Sequence, residues 1–361
     1  MPQSLPAGEH AARVGKQVEP SRNGNAQPSR NNGKDLDLDD RRILNVIQSR
    51  FPFAEAPYRA VAEELGMSEA EAIQRIGALK RKHVVRQISA IFDTRRLGYK
   101  TSLVAMSFPP EKLHKSALFI NRHPGVSHNY AREGHQFNLW FTLAAPPYES
   151  LEDTIAEMAR KTGALETRLL PTIRFFKIGV NFDMVKEEGA AFAYEPDNPN
   201  WNKAEPVTPF EVQVIRELQE DLPLDPRPFT AMAERLGLSL EQMFGMAAEF
   251  QARGIMRRYS AVLHHRRAGF MSNAMTVWRV DDPAKKEAVG RALAGSKWVT
   301  HCYERPTYPD WPYSHFAMIH ATSKERCEDV ARELSQASGV TDYLLLYSTR
   351  EYKKTRVKYF V

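Results

Sequence analysis

Val126-Ser-His-Asn-Tyr-Ala-Arg132 and Val299-Thr-His-Cys-Tyr-Glu-Arg305 stand 173 residues apart and share one pattern, His-x-Tyr-x-Arg. In a β-strand alternate side chains share a face. His128, Tyr130 and Arg132 therefore point one way, and so do His301, Tyr303 and Arg305. The pattern predicts two strands that present the same chemistry from two copies of one unit. The second copy sits in a richer stretch, Val299–His320, which adds Trp311, Tyr313, His315 and His320.

Working outward, the duplication extends over most of the chain. Gly66 matches Gly237, Ser89-Ala90 matches Ser260-Ala261, and Arg95-Arg96 with Gly98 match Arg266-Arg267 with Gly269, all at an offset of 171. Arg174 matches Arg350 at 176, so the second copy carries longer loops, notably Pro306–Pro312. Each copy opens with helical text. Leu36, Ile43, Leu44 and Ile47 fall at helical spacing, with Asp37, Asp39 and Asp40 early, where a helix N-terminus favours negative charge. Tyr58 to Ile76 reads as a short helix, a turn at Gly66, Ser68 as N-cap with Glu71 three residues on, and a second helix. That is a helix-turn-helix. After it, Val84–Phe92 and Thr101–Phe108 read as strands, Lys112–Asn121 as helix, Val126–Arg132 and Phe137–Leu143 as strands, Glu149–Lys161 as helix, and Leu165–Ile178 as one long last strand. The order βαββαβ predicts a ferredoxin-like sandwich. The fold class expected is α+β, a tandem duplication of helix-turn-helix plus ferredoxin-like halves. The expected boundaries are a disordered tail over 1–34, helix-turn-helix units over 35–85 and 207–256, ferredoxin-like domains over 86–180 and 257–361, and a Pro- and Asn-rich linker over 181–206.

Composition bounds the function. A chain of 361 residues with 42% hydrophobic and 26% charged residues suits a soluble globular protein with about two or three domains. No apolar run approaches the roughly 20 residues of a membrane span, and no secretory leader is visible. Cys302 and Cys327 make neither a disulfide framework nor a CxxC metal site, so a cytoplasmic location is expected. A net charge of +6 and a pI near 9.1 favour an anionic partner, either nucleic acid or a polycarboxylate.

The helix-turn-helix plus βαββαβ layout resembles the AsnC/Lrp family, and Leu36–Leu44 and Ile91–Tyr99 are similar to its helix-turn-helix and hinge text. More specifically, Glu133-Gly-His-Gln-Phe-Asn-Leu-Trp-Phe-Thr-Leu143 resembles one subunit type of the siroheme decarboxylases. His301–Pro306, Asp310-Trp-Pro-Tyr313, Phe316–His320 and Ser348–Lys354 resemble the other. The resemblance covers about residues 36–361 and is that of a fused NirD–NirL arrangement. One departure is Ser314-His315, where the family more often has Asn-Leu. The resemblance implies loss of CO2 from two acetate side chains of siroheme, giving 12,18-didecarboxysiroheme for heme d1 biosynthesis. It implies siroheme and its product as ligands, other heme d1 biosynthesis proteins or a second copy of the chain as partners, no membrane, and no cofactor or metal of its own. The iron belongs to the substrate.

The residues suit that chemistry. A flat ring fringed with carboxylates needs cations for the fringe, and the Arg fork meets a carboxylate with two hydrogen bonds. Loss of CO2 leaves carbanion character and needs a proton donor, for which His is the obvious group. The expected catalytic residues are His128, His301 and His135, with His128 or His301 as the ligand if the iron takes one. The expected substrate-binding residues are Arg132, Arg305, Tyr130, Tyr303, Trp311, Tyr313, Arg174 and Arg350. His320 and the Met243/Phe244 group read as structural, and Arg95-Arg96 as solvated turn charges. Two rivals remain. A DNA-binding regulator needs cations at the start of its recognition helix, yet Ser68-Glu-Ala-Glu-Ala and Leu240-Glu-Gln-Met-Phe open with carboxylates and apolar groups. DNA is thus an unfavoured partner. A non-catalytic tetrapyrrole sensor stays open, and only turnover separates it from an enzyme.

Overall fold

The computed structural model describes residues 36–178, 181–185, 188–190, 203–263, 272–321 and 323–361. The expected tail at 1–34, much of the 181–206 linker and the Arg266-Arg267-Gly269 turn lie outside the described residues.

Each half begins as three helices. In the first, α1 (Leu38–Ser49) starts at Asp37, whose carboxylate accepts from the Asp40 amide at 2.7 Å. Helix α2 (Pro57–Leu65) stops at Gly66, whose φ of +72° is a left-handed value that glycine adopts without Cβ strain. Helix α3 (Glu69–Arg81) follows, capped by Ser68. The second half repeats this with α6 (Pro209–Leu218), α7 (Thr230–Leu236) ending on Gly237 at φ +67°, and α8 (Leu240–Ala252) capped by Ser239. The two helical units do not keep separate cores. Phe53 packs on Phe229, Phe244 and Tyr259 with ring centroids 4.9–5.0 Å apart, and the buried Tyr58 hydroxyl donates to the Pro223 carbonyl at 2.8 Å. Below them β1 (Val85–Phe92) pairs antiparallel with β9 (Met256–Leu263), Ser89 opposite Ser260.

The rest of each half is βαββαβ. Half one supplies β2 (Lys100–Ser107), α4 (Pro110–Ile120), β3 (Val126–Glu133), β4 (Leu139–Ala145), α5 (Leu151–Thr162) and β5 (Glu166–Pro171). It continues into β6 (Arg174–Ile178), and a small hairpin, β7 (Asn181–Asp183) with β8 (Glu188–Ala190), follows. Half two supplies β10 (Ser272–Trp278), a 3-10 turn (Pro283–Lys285), α9 (Lys286–Ala294), β11 (Val299–Glu304), β12 (His315–Ala321), α10 (Lys324–Ser338) and β13 (Tyr343–Lys354). The strands form one nine-stranded sheet in the order β5-β2-β4-β3-β13-β10-β12-β11-β6. Helices α4 and α5 cover half one around Val104, Phe141 and Ile155, while α9 and α10 cover half two around Leu293, Ala317 and Val330. A further cluster, including Trp140, Leu170, Met275, Trp311, Phe316 and Leu346, draws on both halves and lies between their inner faces.

The single strand expected over 165–178 is two strands. Pro171 has no amide to donate, and the chain turns at Thr172 so that the Ile173 amide donates to the Glu304 carbonyl of half two at 2.9 Å. Strand β6 then pairs with β11. Half two has no proline at the equivalent place, so β13 runs unbroken, pairing first with β10 and then with β3 of half one. The last strand of each half thus crosses to the other. Among the described residues no helix is long and apolar enough to cross a membrane.

Candidate active site

The strand crossings place the two His-x-Tyr-x-Arg faces in one cavity. His128, Tyr130 and Arg132 on β3 and His301, Tyr303 and Arg305 on β11 all line a space of about 1230 Å³ between the halves. Leu103, Trp140, Met275, Phe316 and Met318 supply its apolar surface, and β1 and β9 close it toward the helical units.

The two arginines are held alike. Arg132 Nη1 donates to the Leu346 carbonyl on β13 at 2.9 Å and Arg305 Nη1 to the Leu170 carbonyl on β5, so each arginine reaches a strand of the other half. Each guanidinium stacks over the tyrosine two residues earlier, at 5.4 Å for Arg132 on Tyr130 and 4.8 Å for Arg305 on Tyr303. Their Nε atoms are buried without a hydrogen-bond partner. Burial lowers both guanidiniums to about 10, still charged at neutral pH. A buried cation with spare donors and no carboxylate is unfavourable alone, and an anionic ligand offsets that cost.

The histidines are anchored through Nδ1. His128 Nδ1 lies 3.0 Å from Ser127 Oγ, and His301 Nδ1 lies 3.0 Å from Thr300 Oγ1. Burial first, then neighbouring cations, lowers His128 to about 3 and His301 to about 4. Burial and these cations thus favour the neutral form of both rings at pH 7.

Further groups complete the wall, most of them missed by sequence reasoning. Arg86 on β1 and Arg257 on β9, again 171 residues apart, line the cavity with Arg95, Arg258, Arg356, Lys80 and Lys354. Glu351 is the sole carboxylate among the lining residues. Asp93, almost fully buried, grips Arg257 at 2.6 Å. The repeat offset could have exposed the Arg86/Arg257 pair; Arg258 and Arg356 have no counterpart cation in half one, so no repeat marked them. Arg95, read as a solvated turn charge, lines the cavity, whereas Arg96 is tied to Glu205 at 2.5 Å. His320, read as structural, also lines the cavity, its Nδ1 lying 3.1 Å from Thr300 Oγ1.

Five expected site residues lie elsewhere. Trp311 is fully buried behind the cavity wall, 5.1 Å from Trp140. His135 packs on it at 4.9 Å and Tyr313 at 5.2 Å, so the three do meet across the halves, but off the cavity. Arg168 of half one pins this loop through a two-pronged bond to Asp310 at 2.8 and 2.6 Å. Arg174 is half-exposed and paired with Glu287, and Arg350 lies exposed over Tyr352. Strand alternation says nothing of His135, Trp311 and Tyr313, which lie in loops, and for Arg350 facing depends on bulges, which shift the register of β13 against β3 at Ser348/Arg350 and again at Glu351/Lys353. His315 is buried on the helix side, with Nε2 2.9 Å from the Lys286 carbonyl and Nδ1 3.0 Å from Ser314 Oγ. It is a packing residue.

A family profile for an AsnC-like ligand binding domain matches residues 96–177 and 267–353, and one for the siroheme decarboxylase NirDL-like HTH domain matches 40–86 and 211–257. The siroheme decarboxylase of Hydrogenobacter thermophilus is 41% identical over 88% of this chain and 94% of its own length. The chain belongs to the siroheme decarboxylases. A siroheme decarboxylase beta subunit from Methanosarcina barkeri is 43% identical over 41% of this chain and 97% of its own length. A crystal structure of the siroheme decarboxylase NirDL in co-complex with an iron-uroporphyrin III analogue matches with a TM-score of 0.68 at 36% identity, over 90% of this chain and 95% of that one.

In this siroheme decarboxylase the helix-turn-helix surfaces are used internally. On α3, Arg75 is held by Asp37 at 2.8 Å, Asp40 at 3.1 Å and Glu71 at 3.0 Å. Lys80 reaches Asp221 of half two at 2.7 Å. On α8, Met243 is buried and Phe244 packs on Phe53 of half one. Arg75 is thus neutralised within its own half, while Lys80 and Phe244, groups that a DNA reader would present outward, join the two halves.

Proposed function

We propose that the chain binds siroheme between its halves and removes CO2 from two acetate side chains, giving 12,18-didecarboxysiroheme for heme d1 biosynthesis. The observation that carries this reading is the convergence of both His-x-Tyr-x-Arg strands on one cavity whose charged wall has nine cations and one carboxylate. Arg132 and Arg305 hold carboxylates of the fringe, with Arg86, Arg257 and Arg258 closing from β1 and β9. Tyr130, Tyr303 and the apolar surface take the ring. His128 and His301 deliver the protons that replace the lost carboxylates, and the iron arrives with the substrate. No metal or organic cofactor of the protein's own enters the reaction.

Bound carboxylates also change the histidines. Negative charge beside His128 and His301 offsets the arginine field and raises both rings toward the range where proton donation at neutral pH is effective. Anaerobic incubation with siroheme and mass spectrometry of the tetrapyrrole tests the reading. Loss of two CO2 is expected from the wild type, and the His128→Ala/His301→Ala double variant should bind siroheme without turnover. Binding by the wild type with no mass change would make the protein a sensor.

A further inference from the structure

Thr300 Oγ1 lies 3.0 Å from His301 Nδ1 and 3.1 Å from His320 Nδ1, with a longer 3.4 Å contact to the Met318 carbonyl. Thr300 and His320 are both buried, and His301 and His320 both line the cavity. A hydroxyl carries one proton, so Thr300 can donate to one ring while accepting from the other, the arrangement that the 3.0 and 3.1 Å contacts favour over donation to the Met318 carbonyl at 3.4 Å. The two imidazoles then hold opposite tautomers.

Half one lacks this device. Ser127 occupies the position of Thr300, 3.0 Å from His128 Nδ1. Ala144 occupies the position of His320: the Ala144 amide donates to Gly125 as the His320 amide donates to Trp298. The surroundings differ too, since β13 places Lys354 opposite His128 where β6 places Ile178 opposite His301. One end of the cavity therefore has a cation beside its histidine, and the other has a second histidine behind it.

We propose that His320 and Thr300 form a proton relay into His301, with His320 acting as a positioning residue that fixes the His301 tautomer and passes it one solvent proton for each carboxylate lost at that end. This rests on the decarboxylase reading. The bond between the acetate CH2 and its carboxylate breaks, CO2 leaves, and the electron pair remains on carbon. His301 Nε2–H gives its proton to that carbon. His301 Nδ1 takes the Thr300 hydroxyl proton, Thr300 takes the His320 Nδ1 proton, and a solvent proton enters at His320 Nε2. One proton enters per CO2 released, and nothing is oxidised or reduced. Neither ring has to exist as an imidazolium, which suits groups buried among cations. The wire ends with reversed polarity and resets when product leaves and water enters.

The test compares full-length wild type, His320→Gln, Thr300→Val and Thr300→Ser, each incubated anaerobically with siroheme in H2O and D2O, with binding followed by absorbance. His320→Gln and Thr300→Val should bind siroheme within a few-fold of wild type, yet slow one of the two decarboxylations by about tenfold or more. A monodecarboxylated product should accumulate. The wild-type rate should depend on D2O fraction with the curvature of several protons in flight, and the variants should lose that curvature. Thr300→Ser, which keeps the hydroxyl, should restore the rate lost in Thr300→Val. If the wild type releases two CO2 and both variants match its rate and isotope effect, the relay is wrong and the decarboxylase reading stands. If Thr300→Val binds siroheme as poorly as it turns it over, Thr300 is a structural group and the relay is again wrong. If the wild type releases no CO2, the decarboxylase reading itself falls. Should His320→Gln fail to fold, the volume-conserving Thr300→Val carries the comparison.

Discussion

Burial first, then surrounding cations, disfavours the imidazolium of His128, His301 and His320, which places them at about 3, 4 and 3. Unfolded histidine takes its proton near pH 6.5. Between pH 6.5 and these lower values the unfolded chain binds more protons than the folded one, so folding stability falls as pH falls. Allowing for solvent screening of the lowered values, the loss is about 1 kcal/mol per ring between pH 7 and pH 5. Urea midpoints of the unliganded wild type should therefore drop over that interval, and the His128→Gln/His301→Gln variant should drop less. Equal losses in both proteins would place the acid sensitivity in other groups. A carboxylate-rich ligand acts in the opposite direction, raising the rings and drawing protons in as it binds.

At the scale of elements, the crossing strands β6 and β13 hold each half to the other's helices. Lys177 on β6 donates to the Ala294 and Ser296 carbonyls at 3.0 and 2.8 Å, at the end of α9 in half two. Lys353 on β13 donates to the Asn121 and His123 carbonyls at 2.9 and 3.1 Å, at the end of α4 in half one. A cation at a helix C-terminus meets the negative end of the dipole and unpaired carbonyls together. Phe176 on β6 lies against α9 so closely that a Cβ at Gly290 would come within 2.2 Å of its Cζ. Gly290→Ala should lower Tm by several degrees through the displaced Phe176, and Phe176→Leu added to it should recover part of the loss. No recovery would mean that the strain arises within α9 itself. This crossing is the part of the fold that the sequence hid most. Helical periodicity, Gly66, Gly237 and the two His-x-Tyr-x-Arg strands announced the duplicated halves, because they depend on local geometry. Whether Lys353 or Lys354 faces the cavity depends on bulges, and whether Trp311 lines a ligand or backs a wall depends on contacts between strands far apart in the chain. His320 looked structural for the same reason: its meaning comes from Thr300, twenty residues away on the neighbouring strand.

At the scale of the molecule, the halves cannot be separated without opening the site. The helical units share one core, β1 needs β9, β6 needs β11 and β13 needs β3, and each wall of the cavity comes from both copies. A lone half would expose the edge of β3 or β11 and half of an arginine-rich cavity, and unpaired edges invite aggregation. The linkage through backbone pairing is nonetheless noncovalent apart from the single chain connection between residues 190 and 203. Two polypeptides cut within that interval and produced together should therefore assemble one-to-one, bind siroheme and release two CO2 at a rate near that of the intact chain. Either half produced alone should be insoluble or bind no siroheme. Light scattering and mass spectrometry of the tetrapyrrole read both outcomes. A single half that stays monomeric, binds siroheme and decarboxylates it would show that one His-x-Tyr-x-Arg face is a complete site, and the shared cavity would lose its role.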